Sequence, residues 1–542
     1  MTRSLINFAV FFSVLALYVA TASAEEKLPS MEALETSGAV IGSIIFEKKN
    51  VFDTTLPGEN KSLYRLANRW HAVTRDSAIR EQLLFAPGDR FSARLLAESE
   101  RILRQNAYLY DAKIEPIGYT DGTVDIRVWT RDLWTLMPGI SLSRSGGENR
   151  ARVSLSERNL LGHGVAVRVA YVEDVDRDSL SFRYGDRNVR GSRVSVFTNF
   201  ADSSDGNMTD LRLVRPFYSL DSRWSAGGTF FDQTREVSFY DLGEEVAEYA
   251  EQAELHTLFF GRSSGLNKAW ARRWIAGFVY DEKQFSTVTD GTLPSLLPAD
   301  RKLVYPYVGY EILQDKYEST SNRESIERTE DFLIGARVWA SIGYATEGMG
   351  SDRDSLVYRI DASRGFGSIA KRALLLSSSL SGRVDDERSA NTELSLNIRY
   401  YNQISDKRLF YMTLDASRGN RLDLDNVTEL GGDTGLRGYP LRYQTGESRL
   451  LFSAEQRYFT DWYPFKLARV GGAVFADIGR TWGDNPLGAP SIGWLKDVGI
   501  GLRLVPTRSS GRDVIHFDIA FPLDGDSSID DVQFLLESKR SF

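Results

Sequence analysis

The sequence predicts an antiparallel β-barrel of the membrane-spanning kind, preceded by a small α+β domain. Polar and apolar residues alternate with period two from Leu136 to the end, in segments of about ten, the length a tilted membrane strand needs. Aromatics make up 12% of the chain and there are 45 glycines, at a mean hydropathy of −0.30. Alternating strands average out in this way, whereas spanning helices do not. Residues 40–132 instead read as strand, helix, helix, strand, strand.

Residues 1–24 read as a secretory leader: Arg3 supplies the charge, 5–20 the apolar stretch, and Ala22-Ser23-Ala24 the small-residue cleavage site. Residues 25–39 then form a linker. In the α+β region, 41–46 has strand composition and 64–73 reads as an inserted helix. A helix is expected over 76–85, with Ala78, Ile79, Leu83 and Leu84 as its apolar set, until Pro87-Gly88-Asp89 breaks it. Ser92 can cap a second helix running toward Tyr108. Strands at 112–119 and 123–130 follow, joined by an Asp121-Gly122 turn.

The clearest membrane strand is 466–480. Ala468, Val470, Gly472, Val474, Ala476 and Ile478 share one face, while Arg469, Phe475 and Asp477 share the other. A charged face opposite an apolar one marks a wall between lumen and lipid. By the same parity Phe410, Met412 and Leu414 face out. Leu450, Phe452, Ala454 and Tyr458 also face out while Glu455 faces in, and Ile515, Phe517 and Ile519 face out while His516 and Asp518 face in. Six such segments follow residue 406 and about fourteen precede it, so the segment count runs up to 20.

Composition excludes several functions. With 66 Lys+Arg against 74 Asp+Glu, the chain lacks the basic balance of a nucleic-acid binder. It has no Cys, which excludes disulfides, thiolate metal sites and a lipid-modified start. The four His, at 71, 163, 256 and 516, are scattered. No phosphate-binding loop occurs, and neither an enzyme nor a cofactor or metal site is expected.

One loop stands apart. Glu429-Leu-Gly-Gly-Asp-Thr-Gly-Leu-Arg437-Gly438-Tyr439-Pro440 has four glycines in ten residues, the freedom of a shaped loop able to enter a confined space. Were its tip inside a barrel, Arg437 would need a fixed carboxylate, and Phe475-Ala-Asp477-Ile-Gly479 offers one. Glu455 is a second acceptor, although a turn closing near Tyr463 would set it several rungs below Asp477.

With these two stretches the sequence resembles the superfamily of outer-membrane barrel assembly factors and two-partner secretion transporters, the bacterial surface antigen family. Its signature is an Arg-Gly-(Phe/Tyr) loop tip beside an Asp-x-Gly strand end. Asn159-Leu-Leu-Gly162-His163-Gly164 and the terminal Phe542 are similar to further family features. The resemblance implies a sixteen-strand barrel over 136–542 in a Gram-negative outer membrane, with 40–133 a polypeptide-transport-associated (POTRA) domain in the periplasm. It also implies a loop lock made by Arg437, Gly438, Tyr439, Asp477, Gly479 and Glu455. The implied function is insertion or export of polypeptides without ATP. A dedicated secretion pore for one client and a passive channel are the alternatives. The implied partners are the lipid bilayer, unfolded or secreted polypeptide clients, and periplasmic chaperones or accessory lipoproteins. Clients would be met along a sheet edge carrying Ala112, Ile114, Val124 and Ile126, and at the last strand by Phe534 and Phe542. That last strand puts Ser538 and Arg540 on one face with Phe534, Leu536 and Phe542, which predicts a weak seam with the first strand. A single POTRA departs from the multi-domain assembly factors.

Overall fold

The computed structural model describes residues 28–288, 297–484, 491–511, 513–525, 529–539 and 541–542. The expected leader and Arg540 lie outside them. Two compact units are formed. One takes the described part of residues 1–47 with 84–99 and 113–129, and the other takes 48–83, 100–112 and 130–542.

The α+β elements are α1 (Met31–Thr36), β1 (Val40–Lys49), α2 (Ser62–Trp70), α3 (Asp76–Arg80), α4 (Ala93–Arg104), β2 (Leu109–Thr120) and β3 (Thr123–Asp132). Ser30 caps α1, its hydroxyl accepting from Ala33 N at 3.2 Å. The sheet order is β1-β3-β2. The helix expected over 76–85 stops at Arg80, because Leu84 N donates to Ser99 Oγ at 2.9 Å instead of continuing the helix ladder. The inserted helix is present as α2. Asp121 and Gly122 both take positive φ, 49° and 78°, as a tight hairpin between β2 and β3 requires.

From Leu136 the chain winds into a closed antiparallel barrel of twenty strands. Fourteen precede residue 408 and six follow, as the segment count gives; the sixteen implied by the resemblance is not what this chain builds. Each candidate segment is paired on both sides, so none merges with its neighbour. Two small hairpins stand outside the wall. One joins Tyr317–Thr320 to Glu330–Leu333, the other Thr428–Leu430 to Gln444–Gly446. The outward face is an apolar belt: Ile140 is 82% exposed, Leu258 68% and Trp274 61%. A surface that apolar suits lipid rather than water.

Candidate functional site

The loop between the fifteenth barrel strand (Arg408–Asn420) and the sixteenth (Ser448–Phe459) folds into the lumen. Its Leu430, Leu436, Tyr439 and Tyr443 form a buried cluster with Leu451 and Leu495 of the wall. This apolar packing carries the loop tip down to a layer of charges.

Arg437 is buried there. Its Nε donates to Asp477 Oδ2 at 2.7 Å and its Nη2 to Asp477 Oδ1 at 2.8 Å, the two-pronged arrangement that a planar guanidinium favours. Nη1 donates to Glu455 Oε1 at 2.8 Å, and Nη2 also to Ser453 Oγ at 3.2 Å. The guanidinium lies 3.4 Å from the centre of the Phe475 ring. Burial opposes its charge, but Asp477, Glu455 and Asp518 outweigh it and raise the Arg437 pKa well above its ordinary value.

The neighbours of Arg437 fix the loop by other means. Gly438 N donates to Asp497 Oδ2 at 3.0 Å, and a Cβ at 438 would meet Asp497 Cβ at 2.7 Å, so only glycine fits. The Tyr439 hydroxyl accepts from Lys496 N and Asp524 N at 3.1 and 3.3 Å. It also lies 2.8 and 2.9 Å from the carbonyls of those residues and can donate to one of them. Gly479 passes under the loop, where a Cβ would stand 2.9 Å from Leu430. Arg437, Asp477 and Glu455 thus share one network, Gly438 borders it through Asp497, and Tyr439 and Gly479 are placed by main-chain and apolar neighbours instead.

Glu455 is closer than a turn at Tyr463 would allow. It sits opposite Phe475, and Ser453 opposite Asp477, because the connecting turn is centred near Phe465 and Lys466, both at positive φ. The lock is also larger than the sequence reading makes it. Arg457 Nε donates to the second Glu455 oxygen at 2.8 Å, and Arg503 pairs with Asp518. Three guanidinium groups thus share three carboxylates, those of Asp477, Glu455 and Asp518, while Asp497 beside them is held by Gly438 N. The inward parity of strands after 448 is the signal that would have found them. His516 stands opposite Arg503 and donates to the Ser541 carbonyl at 2.8 Å.

The expected client positions divide. Ala112 and Ile114 lie on edge strand β2, but their side chains are buried, and the Ala112 carbonyl accepts from Arg104 Nη1 at 3.1 Å. Val124 and Ile126 are corrected: β3 is the central strand, paired on both sides, and has no free edge for strand addition. Phe534 is exposed on the outer face. Phe542 is not beside it; it is buried against Phe459 with ring centres 5.0 Å apart, and its N donates to the Glu324 carbonyl at 2.8 Å.

The seam between the first strand (Leu136–Ser145) and the last (Gln533–Lys539) has a single register pair among the described residues, Leu536 with Arg144. The last strand makes seven pairs with its other neighbour, and the first makes ten with the second. A groove of about 700 Å³ opens there, with Leu142, Arg144, Ile500, Phe517, Phe534 and Leu536 in its lining.

The Asn159 turn has a role that its motif alone does not reveal. Asn159 Oδ1 accepts from Gly164 N at 2.7 Å, and its Nδ2 donates to Thr74 Oγ1 at 2.9 Å. Thr74 N and His71 Nε2 in turn reach Asp132 Oδ2, at 2.7 and 3.1 Å. A second turn of the same build follows at Asn188, whose Oδ1 accepts from Arg193 N at 2.8 Å.

No family model matches the chain, and no curated protein does. Three solved structures align along most of it, each at 13% identity. BamA from Haemophilus ducreyi lacking POTRA domains 1–3 aligns over 91% of this chain and 84% of that one, with a TM-score of 0.39. CdiB from Acinetobacter baumannii aligns over 92% and 74% at 0.45, and CdiB from Escherichia coli over 91% and 75% at 0.48.

Proposed function

We propose that this chain is an outer-membrane barrel of the assembly and two-partner secretion superfamily, which passes polypeptides into or across the membrane. In this reading residues 40–133 form a periplasmic POTRA-like domain and 136–542 the membrane barrel. The loop tip at Arg437 holds the lumen closed rather than doing chemistry. The observation that carries the reading is the seam, where among the described residues one pair joins the first and last strands, against seven and ten pairs at the junctions on either side. A strand edge so thinly bonded is a template on which a client strand can add its own main-chain hydrogen bonds. The edge of β2 offers the same chemistry to a client still in the periplasm.

The test uses the absence of native cysteine. Leu536→Cys with Arg144→Cys should form a disulfide across the seam, abolish insertion of client barrels, and regain activity on reduction. Activity that survives oxidation would rule out lateral opening. Photo-crosslinking from probes along 112–130 and 532–542 then separates the alternatives. Several barrel precursors captured at both places indicate general insertion, and a single secreted protein indicates a dedicated pore. No capture, with conductance indifferent to Arg437→Ala, indicates a passive channel.

A further inference from the structure

The connection between the tenth barrel strand (Arg301–Gln314) and the eleventh (Arg337–Ala345) is no simple turn. It carries the hairpin of Tyr317–Thr320 and Glu330–Leu333, and it lies inside the lumen. Ile326, Phe332 and Ile334 are buried against Tyr401, Phe459 and Phe542. Arg399 Nη1 donates to Glu324 Oε1 at 2.6 Å, and Arg457 Nη1 to the Arg323 carbonyl at 3.0 Å. On its other side Arg104 grips Asp331 through two bonds of 2.8 and 2.7 Å. Thr329 Oγ1 donates to Asp111 Oδ2 at 2.8 Å, and Arg328 Nη2 to the Leu109 carbonyl at 2.9 Å.

Beside the hairpin a cavity of about 900 Å³ remains, lined by eight arginines and four carboxylates. Three of those carboxylates, Glu324, Glu330 and Asp331, and one arginine, Arg328, belong to the connection itself. Without it, seven arginines would face Asp513 as their single carboxylate in that lining. Arg168 already has a buried Nε with no hydrogen-bond partner, and its charged neighbours are Arg152, Arg183, Arg158 and Asp513. Arg187 donates to the Gln105 carbonyl at 3.1 Å rather than to a carboxylate. A wall of guanidinium groups in a confined space needs anions to be stable. Here the chain brings them on a strip of its own backbone, Glu324-Ser-Ile-Glu-Arg-Thr-Glu-Asp331, with four carboxylates in eight residues.

We propose that this end of the lumen is a binding site for an acidic polypeptide segment, occupied in this state by the chain's own hairpin, which an incoming segment of the same chemistry displaces. The proposal rests on the reading above only in taking a polypeptide as the client. Carboxylates of the incoming segment first meet Arg168 and Arg187, which hold no part of the hairpin, and then compete with Asp331 for Arg104. The hairpin is thereby both a closure and a mimic of what opens it.

The test is hydrogen exchange of the amides of 317–333 in the full-length protein in lipid nanodiscs. The probes are a Glu/Asp octapeptide, its Gln/Asn counterpart, and inorganic phosphate at matched charge. The acidic peptide should speed exchange in the hairpin while the neutral peptide and phosphate leave it unchanged. Arg168→Gln with Arg187→Gln, read against the variant's own exchange without peptide, should raise the half-effective peptide concentration about ten-fold for each guanidinium removed. Asp111→Cys with Thr329→Cys, once oxidised, should pin the hairpin against the peptide until reductant is added. An equal response to the neutral peptide or to phosphate overturns the proposal, as does indifference to the arginine changes. The peptide series on the unaltered protein does not depend on any variant folding. Failure here would leave client capture at the seam intact, whereas absence of capture there with displacement here would remove the transport reading alone.

Discussion

Arg437 is held by more bonds than its position needs, and this makes its removal informative. Arg437→Ala would leave Asp477 and Glu455 buried without their shared cation, a change expected to lower barrel stability by about 3–5 kcal/mol in a urea or heat melt. Arg437→Lys should lose less, because the charge remains while the paired bonds to Asp477 and the stacking on Phe475 do not. Asp497 makes the opposite case. It stands directly opposite Asp477, like charge against like, and one of its oxygens has no hydrogen-bond partner among the described residues. Asp497→Asn keeps an oxygen for Gly438 N and relieves that repulsion, so the same melt should show unchanged or raised stability. The Arg437 and Asp477 pairing is legible in the sequence, since a glycine-rich loop with one guanidinium demands a carboxylate on an inward strand face. The reach of Glu455 is not, because it depends on where a turn is centred. Phe465 and Lys466 at positive φ are unusual residues for that position.

At the scale of elements, the connection at 315–336 is the feature that sequence patterning passes over. Its strands are four residues each, too short for an alternation to be read, and its acidic stretch resembles any solvated loop. What holds it is tertiary: Arg104, Arg399 and Arg457 come from distant parts of the chain. Burial pushes the Glu330 carboxyl up from 4.5 to about 7, main-chain N–H groups of 323, 324 and 325 oppose this, and Glu324 adds to it. Arg323 and Arg328 are its positive neighbours. A raised carboxyl stabilises the folded hairpin fully below pH 4.5 and loses that contribution as pH rises through about 7. Hairpin amides, corrected for intrinsic exchange, should therefore open more at pH 8 than at pH 6, and Glu330→Gln should flatten that difference. In the α+β region the order of elements is legible, but which strand is central is not. Hydrophobic parity marks Val124 and Ile126 as inward-facing without saying that β3 has neighbours on both sides.

For the whole molecule, counting alternating segments gives a better strand number than analogy, because each segment is a complete wall element. Strand length is less legible. The eighth barrel strand, Glu244–Asn267, has 24 residues, and the seventh and ninth have 18 each. At about 3.3 Å per residue the longest extends about 80 Å, so even when tilted it overshoots a hydrocarbon core of about 30 Å. Alternation continues past the bilayer because the lumen still has an inside, and nothing in the local pattern marks where lipid ends.

The sixteenth strand joins two closures that are far apart in sequence. Arg437 of the outer loop holds one oxygen of Glu455, Arg457 holds the other, and Arg457 also holds the carbonyl of Arg323 in the hairpin. Loop and hairpin are thus bolted to the same two-residue crosspiece. Whatever draws either one away loosens the fitting of the other, and by linkage the influence runs equally in both directions. If both are closures, as proposed, the barrel is an interlock: its two doors share one latch.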